Sequence, residues 1–405
     1  MNEAILDGIK VVELATFIAG PATSVVLADF GADVIKIEPP SRPDPFRGVH
    51  TRGSDAPKSD YPYAYIVDNR NKKGLALDIK VPEGREVFER LIAQADVFVT
   101  NMPVPTRGRL DIGYEDLHAL NPRLVYASIT AYGETGPEAD RPGFDTTALW
   151  ARTGLMDLVK PAPDSPPARS LPGMGDHPTA MSLFAAVMTG LYRRERTGEG
   201  SHVSTSLMAN GVWWNGLLTQ AMLCGADVTP RPPRESAGNP VHNLYKTRDG
   251  RWIHIVFNTN LHRWPELAAL LGRPELGDDP RFSNQDARIA NSLALIPILE
   301  GAFAERDYDD WVGLLEENRF TFGDVRKIEQ IRTDRQMVEG RVLRPMSDPA
   351  AGAEYVVDSP IWVEGTTKAD PTMPPELGEH TEEVLRSLGY DDAALSKMRD
   401  AGAIS

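Results

Sequence analysis

Cysteine is nearly absent from this chain: of 405 residues only Cys224 carries a thiol. One thiol cannot build an intrachain disulfide framework, and such usage points to a reducing, cytoplasmic setting. Its neighbours Ala221, Met222 and Leu223 predict a small packing residue rather than a nucleophile. No apolar run is long enough to cross a membrane, so no membrane partner is expected. The start, Met1-Asn2-Glu3-Ala4-Ile5, has neither the basic segment nor the apolar stretch of a secretion signal. The histidines are dispersed, which gives no support to a metal site. Also missing are a P-loop, H-E-x-x-H, C-x-x-C and G-x-S-x-G. Positive charge is in the minority, 43 basic residues against 58 acidic for a net charge of -15. That excludes the broad basic face of a nucleic-acid binder but leaves room for a small anion at a local basic site. Basic residues do gather early, at Arg42, Arg47, Arg70, Lys72, Lys73, Arg107 and Arg109, although scattered surface charge has the same appearance.

Hydrophobic residues make up 41% of the chain, ordinary for a globular protein, and the length suits one large domain plus a smaller one. Lys10–Leu14 reads as a buried strand, 21–30 as a helix with Pro21 in its first turn and Gly31 at its end, and 34–37 as a second strand. This βαβ pattern predicts an α/β fold with a Rossmann-like parallel sheet. A helix over 84–95 and strands at 97–99 and 125–129 extend it. The turn Ala15-Thr-Phe-Ile-Ala-Gly20 lacks the G-x-G-x-x-G spacing of a dinucleotide site, so NAD and FAD are not expected. A long helix is expected over 179–193, from apolar residues at 181, 183–184, 187–188 and 191. A strand over 203–207 then runs into a helix ending near Leu223. The Pro-rich stretch at 228–234 marks a domain boundary between residues 1–225 and a smaller α/β domain at 226–340, and the last part, 341–405, is again Pro-rich and extended over 342–375. Within the latter, a strand at 252–256 and helices at 261–271, 290–304 and 307–317 are expected. A short helix over 381–388 closes the pattern.

The segment Leu171-Pro-Gly-Met-Gly-Asp-His-Pro178 places a carboxylate, Asp176, where a glycine turn meets a helix N-terminus. Unpaired N–H groups and the helix dipole favour negative charge there. Two roles fit: an N-cap, with Pro178 near the first turn, or a covalent nucleophile. An aspartate of ordinary pKa, about 3.9, is ionised at neutral pH and needs no general base.

Several segments together resemble the class III CoA-transferases, the family of formyl-CoA, carnitine and bile-acid CoA-transferases. They are Val11-Val-Glu-Leu-Ala15 with Ala19-Gly-Pro21, Leu27-Ala-Asp-Phe-Gly-Ala-Asp-Val-Ile-Lys-Ile-Glu38, Asn69-Arg-Asn-Lys-Lys73, Asp96-Val-Phe-Val99 with Asn101, Tyr132-Gly133, Gly175-Asp176, Asn243-Leu-Tyr245 and Leu377-Gly-Glu-His-Thr381. The resemblance implies that Asp176 is the nucleophile. An aspartyl–acyl anhydride and then an aspartyl–CoA thioester form on it, and no bound cofactor is needed besides the coenzyme A thioester substrate. It further implies a discontinuous large domain, 1–225 with 341–405, and CoA contacts at Ala19, Asn101, Arg109 and Tyr132. The family's basic position after the second strand is Pro39 here, which leaves Arg42 and Arg47 as replacements. Lys72 and Lys73 are candidate adenine or phosphate contacts, or equally a solvated face. His177 is read as a neighbour only, and Trp213-Trp214 as helical core or a subunit contact. The implied partners are an acyl-CoA donor, with succinyl-CoA the family default, a small carboxylic acid acceptor, and a second copy in an interlocked homodimer. Glu235-Ser-Ala-Gly-Asn-Pro240 lacks the tetraglycine run of formyl-CoA transferases, which argues against an oxalate/formate enzyme. The alternatives are an α-methylacyl-CoA racemase-like isomerase and a non-catalytic CoA-binding protein. Racemases carry Gly-His-Asp where this chain has Gly143-Phe144-Asp145, and a phenyl ring transfers no proton.

Overall fold

The computed structural model describes residues 4–52, 56–258, 261–348 and 352–405. The first five strands are β1 (Lys10–Leu14), β2 (Asp33–Glu38), β3 (Lys73–Ala76), β4 (Val97–Thr100) and β5 (Val125–Thr130). With β6 (Ser201–Ser206) they form one parallel sheet in the order β3-β2-β1-β4-β5-β6. Strand order reverses between β1 and β4, and the crevice outside the carboxyl ends of such a pair is where ligands bind in open α/β sheets. Successive side chains point to opposite faces. Val11, Val97, Val99 and Val125 face one core, and Val12, Leu14, Phe98 and Tyr126 the other.

Helix α1 (Ala19–Asp29) covers the first face and is buried along its whole length. Its small residues, Ala19, Gly20, Ala22 and Ser24, let it lie close on the sheet. Helix α2 (Tyr63–Asn69) precedes β3, and α3 (Pro82–Ile92) covers the second face through Val87, Phe88, Leu91 and Ile92. After β4 comes the short α4 (Val104–Arg109). Beyond β5 a π-helical turn, Asp145–Ala151, leads toward α5 (Asp176–Thr197), which shares the first face with α1. Its end is set by Gly198, in the left-handed conformation at φ 79. After β6 follow α6 (Leu207–Trp214) and α7 (Gly216–Leu223).

The chain forms two compact units. One comprises Met1–Leu155, Arg169–Ala226 and Arg335–Ser405; the other comprises Met156–Ala168 and Asp227–Asp334. The second unit has a three-stranded antiparallel sheet, β7 (His242–Lys246), β8 (Trp252–Val256) and β9 (Phe322–Val325). Helices α8 (Trp264–Leu270), α9 (Ser292–Phe303) and α10 (Tyr308–Glu317) pack on it around Tyr245, Ile253, Trp264, Leu299, Phe303 and Trp311. Returning to the first unit, β10 (Leu343–Pro345) pairs antiparallel with β11 (Tyr355–Val357). Helices α11 (Thr381–Ser387) and α12 (Asp392–Asp400) complete the core on the α3 face with Val384, Leu385, Leu395 and Met398.

Three expectations change. Cys224 is exposed rather than packed, because α7 turns no residue into the core. Trp213, at 82% exposure, is likewise no core residue. Helix α5 starts three residues early, so Asp176 lies inside its first turn and Gly175 is the N-cap, with no side-chain capping bond.

Candidate active site

Two glycines dictate how Asp176 is presented. Gly173 has φ 77, and a Cβ there would stand 3.2 Å from His177 Nδ1 and 3.4 Å from Ile18 Cδ1. At Gly175 a Cβ would come 2.7 Å from Asp145 Cβ and 3.0 Å from Leu149 Cδ1. The backbone therefore packs directly against the π-helical turn, and Gly175 N–H donates to Asp145 Oδ2 at 3.1 Å. Residues 173–176 are thus clamped between Ile18 of the first βα turn and Asp145. Helices α1 and α5 are tied by Thr23 Oγ1, which donates to Ala19 O and Ala180 O.

The Asp176 carboxyl does not keep an ordinary pKa. Burial, reinforced by the Asp145 carboxylate, pushes it up to about 7; His177 pulls it down and Asp68 adds a smaller upward push. The expected pKa near 3.9 is thereby corrected. The turn that frees the carboxyl from side-chain bonding also withdraws water from it and sets a second carboxylate beside it. A partly desolvated carboxylate is a stronger nucleophile once ionised, and its titration falls in the physiological range. His177 is more than a neighbour in the chain. Its Nε2 lies 3.0 Å from Oδ1 of the buried Asp68 on α2. Burial, the largest single influence, opposes its charge, but the bond to and charge of Asp68, the Asp176 carboxyl and the Gly173 backbone together outweigh it, so its pKa is raised. Burial raises the Asp68 pKa in turn, with His177 offsetting part of the effect.

The residues expected at the CoA site divide into three groups. Ala19 and Asn101 meet at the switch point between β1 and β4. Ala19 is the buried first residue of α1. Asn101 Oδ1 accepts from Thr16 N–H at 3.0 Å and its Nδ2 donates to Thr16 O at 2.6 Å. Tyr132 is buried and lies beneath the Arg141 guanidinium, 5.0 Å from the ring centroid. A Cβ at Gly143 would touch its ring at 3.0 Å, so Tyr132 adjoins the segment bearing Asp145. Arg109 is exposed at the end of α4, its Nη2 donating to Thr106 Oγ1 at 2.9 Å, and Arg42 is exposed as well.

Arg47 and Lys72 are placed differently from the expectation. Arg47 binds Glu38 through both Nε (3.0 Å) and Nη2 (2.6 Å), donates to Pro375 O and lies over the Tyr65 ring. Lys72 is buried, its Nζ donating to Glu13 Oε2 (2.7 Å), Pro21 O (2.8 Å) and Asn69 Oδ1 (3.0 Å). An ammonium has three donors, and all three are used, so none is left for a phosphate. It is therefore no solvated face. Burial lowers its pKa to about 8, against the pull of Glu13. Lys73 pairs on the surface with Asp33 and Glu383. Sequence reasoning gave Asp145 and Asp68 no role. Asp145 stands beside the Phe144 that was weighed, but nothing in its spacing pointed to Asp176. Asp68 lies 109 residues from His177 and left no local signal.

The site thus presents a half-buried carboxyl on a Gly-Asp turn that opens a helix, beside a parallel sheet without a dinucleotide fingerprint. The family model described as CoA-transferase family III matches residues 6–381. This chain belongs to the class III CoA-transferases and is an enzyme of that class. It is 32% identical over 401 residues to the (R)-2-hydroxy-4-methylpentanoate CoA-transferase of Clostridioides difficile, covering 99% of each chain. Identity is 31% to the succinyl-CoA:glutarate CoA-transferase of Mus musculus, covering 98% of this chain and 90% of that one. It is 30% to the cinnamoyl-CoA:phenyllactate CoA-transferase of Clostridium sporogenes, covering 98% and 96%. Among solved structures, a CaiB/BaiF family protein from Brucella suis superposes with a TM-score of 0.82 at 29% identity, covering 96% of this chain and all of that one.

Proposed function

We propose that this enzyme moves CoA from an acyl-CoA thioester to a free carboxylic acid through covalent intermediates on Asp176. The observation that carries the reading is the Asp176 carboxyl itself, half-buried at a helix start that two glycines keep clear. An Asp176 oxygen attacks the thioester carbonyl, the C–S bond breaks, and a mixed anhydride and CoA thiolate result. The thiolate then attacks the Asp176 carbonyl, releasing the donor acid and leaving an aspartyl–CoA thioester. The acceptor carboxylate attacks that carbonyl, expels the thiolate and forms a second anhydride. Thiolate attack on the acceptor's carbonyl yields the new acyl-CoA and frees Asp176. No proton is consumed, so the acid–base demand is that Asp176 be ionised at the first step. The positive end of α5 favours the oxyanion at each tetrahedral stage.

CoA lies along the β1/β4 switch point, against Ala19 and Asn101, with Tyr132 and Arg109 on the β5 side. Arg47 acts through Glu38 rather than on a phosphate. The enzyme works as a homodimer in the cytoplasm. An exposed apolar face on α6 and α7, with Trp213 at 82%, Leu217 at 85% and Leu223 at 67%, supports a partner subunit. The interlocking rests on the family resemblance. The test is intact mass after incubation with acyl-CoA esters and hydroxylamine or borohydride trapping. Wild type gains an adduct mapped to Asp176 and Asp176→Ala gains none. Unlabelled wild type that still binds CoA esters refutes the covalent route.

A further inference from the structure

Two exposed aromatic rings stand beside the Asp176 turn. Phe144 is 60% exposed and Phe17 39%. Their centroids are 5.9 Å apart and nearly perpendicular, and Phe46 flanks Phe17 at 6.3 Å. Chain neighbours tie both rings to the nucleophile. Phe144 immediately precedes Asp145, which holds Gly175 N–H. Phe17 precedes Ile18, whose side chain closes over Gly173. Met174, which lies between Gly173 and Gly175, and Leu171 are exposed as well.

The position of Phe17 is enforced against its own preference. Its φ is 63, a left-handed conformation that a bulky residue rarely adopts. Asp44 Oδ1 holds its N–H at 3.1 Å, and Asn101 grips the preceding Thr16 on both sides. Strain kept in this way, with the ring left at the solvent edge, marks a functional position.

The charges near the turn point the same way. Those acting on Asp176 are Asp145, His177 and Asp68, two carboxylates and an imidazole already paired with one of them. Lys36 and Lys72 share Glu13, Lys36 also holds Asp44, and Arg47 holds Glu38, so none of these three cations is left over for a ligand. A second carboxylate on the substrate would meet like charge here, whereas an apolar tail would meet ring faces. Resting on the CoA-transferase reading of Asp176, we propose that Phe144 and Phe17 form the acyl-tail subsite. The acids handled are monocarboxylic, with a branched aliphatic or aromatic tail, and not dicarboxylic. Succinyl-CoA is accordingly a poor donor.

The test is a kcat/KM series on the full-length enzyme with trideuterated acetate as acceptor, so that transfer from every donor, acetyl-CoA included, is read by mass as labelled acetyl-CoA. The donors are 4-methylpentanoyl-CoA, 3-phenylpropanoyl-CoA, succinyl-CoA, glutaryl-CoA and acetyl-CoA. The expected result is that both apolar esters exceed both dicarboxylyl esters by about tenfold or more, the range that apolar-pocket discrimination supplies. Phe144→Ala lowers kcat/KM for the apolar esters about tenfold further than for acetyl-CoA, and Phe144→Leu recovers most of the loss. Phe144 is exposed, so these variants leave the core alone. A wild-type preference for succinyl- or glutaryl-CoA overturns the proposal, as does an equal loss for acetyl-CoA in Phe144→Ala. If no ester transfers CoA and none labels Asp176, the transferase reading fails as well, a result distinct from transfer with the wrong preference.

Discussion

Replacing Asp176, the proposed nucleophile, should make the protein more stable, and more so at alkaline pH. In the folded chain Asp176 keeps its proton up to about pH 7, whereas an unperturbed aspartate releases it near 3.8. Between those values the folded state binds the extra proton, so stability falls as pH rises, and above pH 7 the full penalty is present. At about 1.36 kcal/mol per pH unit the ceiling is roughly 4 kcal/mol, of which about half is already incurred at pH 5.5. Solvent reaches part of the carboxyl, which reduces these to about 2 kcal/mol at pH 8.5 and about 1 at pH 5.5. Asn carries no charge and escapes the penalty, but gives up about 0.5 kcal/mol of helix-dipole interaction. Asp176→Asn should therefore exceed wild type by about 1–2 kcal/mol at pH 8.5, with the advantage shrinking by about 1 kcal/mol at pH 5.5. Urea unfolding followed by tryptophan fluorescence, at one fixed protein concentration, reads both values. A variant less stable than wild type at pH 8.5, or an advantage that does not change with pH, refutes the assigned electrostatics.

The same carboxyl should govern the pH–rate profile. For wild type, kcat/KM rises with pH toward a plateau as Asp176 ionises around 7, and Asp145→Asn moves that rise to lower pH by removing the adjacent carboxylate. A profile unmoved in Asp145→Asn would show that Asp145 does not act on the nucleophile. His177→Gln removes the cation that holds the Asp176 pKa down, so kcat/KM falls more at pH 6 than at pH 9; an equal loss at both would mean that His177 only supports the fold. Lys72→Met leaves Glu13 half-paired in the interior and should cost about 3–5 kcal/mol in urea unfolding. A Lys72→Met enzyme of wild-type stability with only a raised KM for acyl-CoA would return Lys72 to the phosphate site.

Legibility in the sequence followed the range of the forces involved. The bounds of β1 and β8 were readable because each is a compact run of strand-forming residues, Val11-Val12 in one and Trp252, Ile253, Ile255 and Val256 in the other. Edge strand β3, Lys-Gly-Leu-Ala, escaped because four residues with a central glycine carry no period. Helix α12 was missed because its apolar face rests on two residues, Leu395 and Met398. Asp176 was visible because its glycines are local, but its pKa was not. That shift comes first from burial, then from Asp145, 31 positions earlier, and in smaller part from Asp68, on another helix. The burial of Lys72 was hidden for the same reason: a lysine in a basic run looks solvated until Glu13, 59 residues away, is folded beside it.

The buried charges serve the turn rather than the ligand. Lys36 Nζ bonds Glu13, Asp44 and the carbonyl of Ala15, while Lys72 Nζ bonds Glu13 and the carbonyl of Pro21. Asp44 in turn takes the N–H of Phe17, and Asn101 takes both backbone groups of Thr16. Residues 15, 16, 17 and 21 are thus each held by a side chain from elsewhere in the fold. A buried ion pair seldom adds net stability over an apolar replacement, so such a network is better understood through what it positions. A glycine-rich turn would leave this loop free to approach a pyrophosphate. Here side-chain anchors fix it, force Phe17 into an unfavourable backbone conformation, and bring Ile18 against Gly173. The charge network, the strained phenylalanine and the glycine before the nucleophile are therefore one structure, and a change at Glu13 or Lys36 should be felt at Asp176 although neither residue touches it.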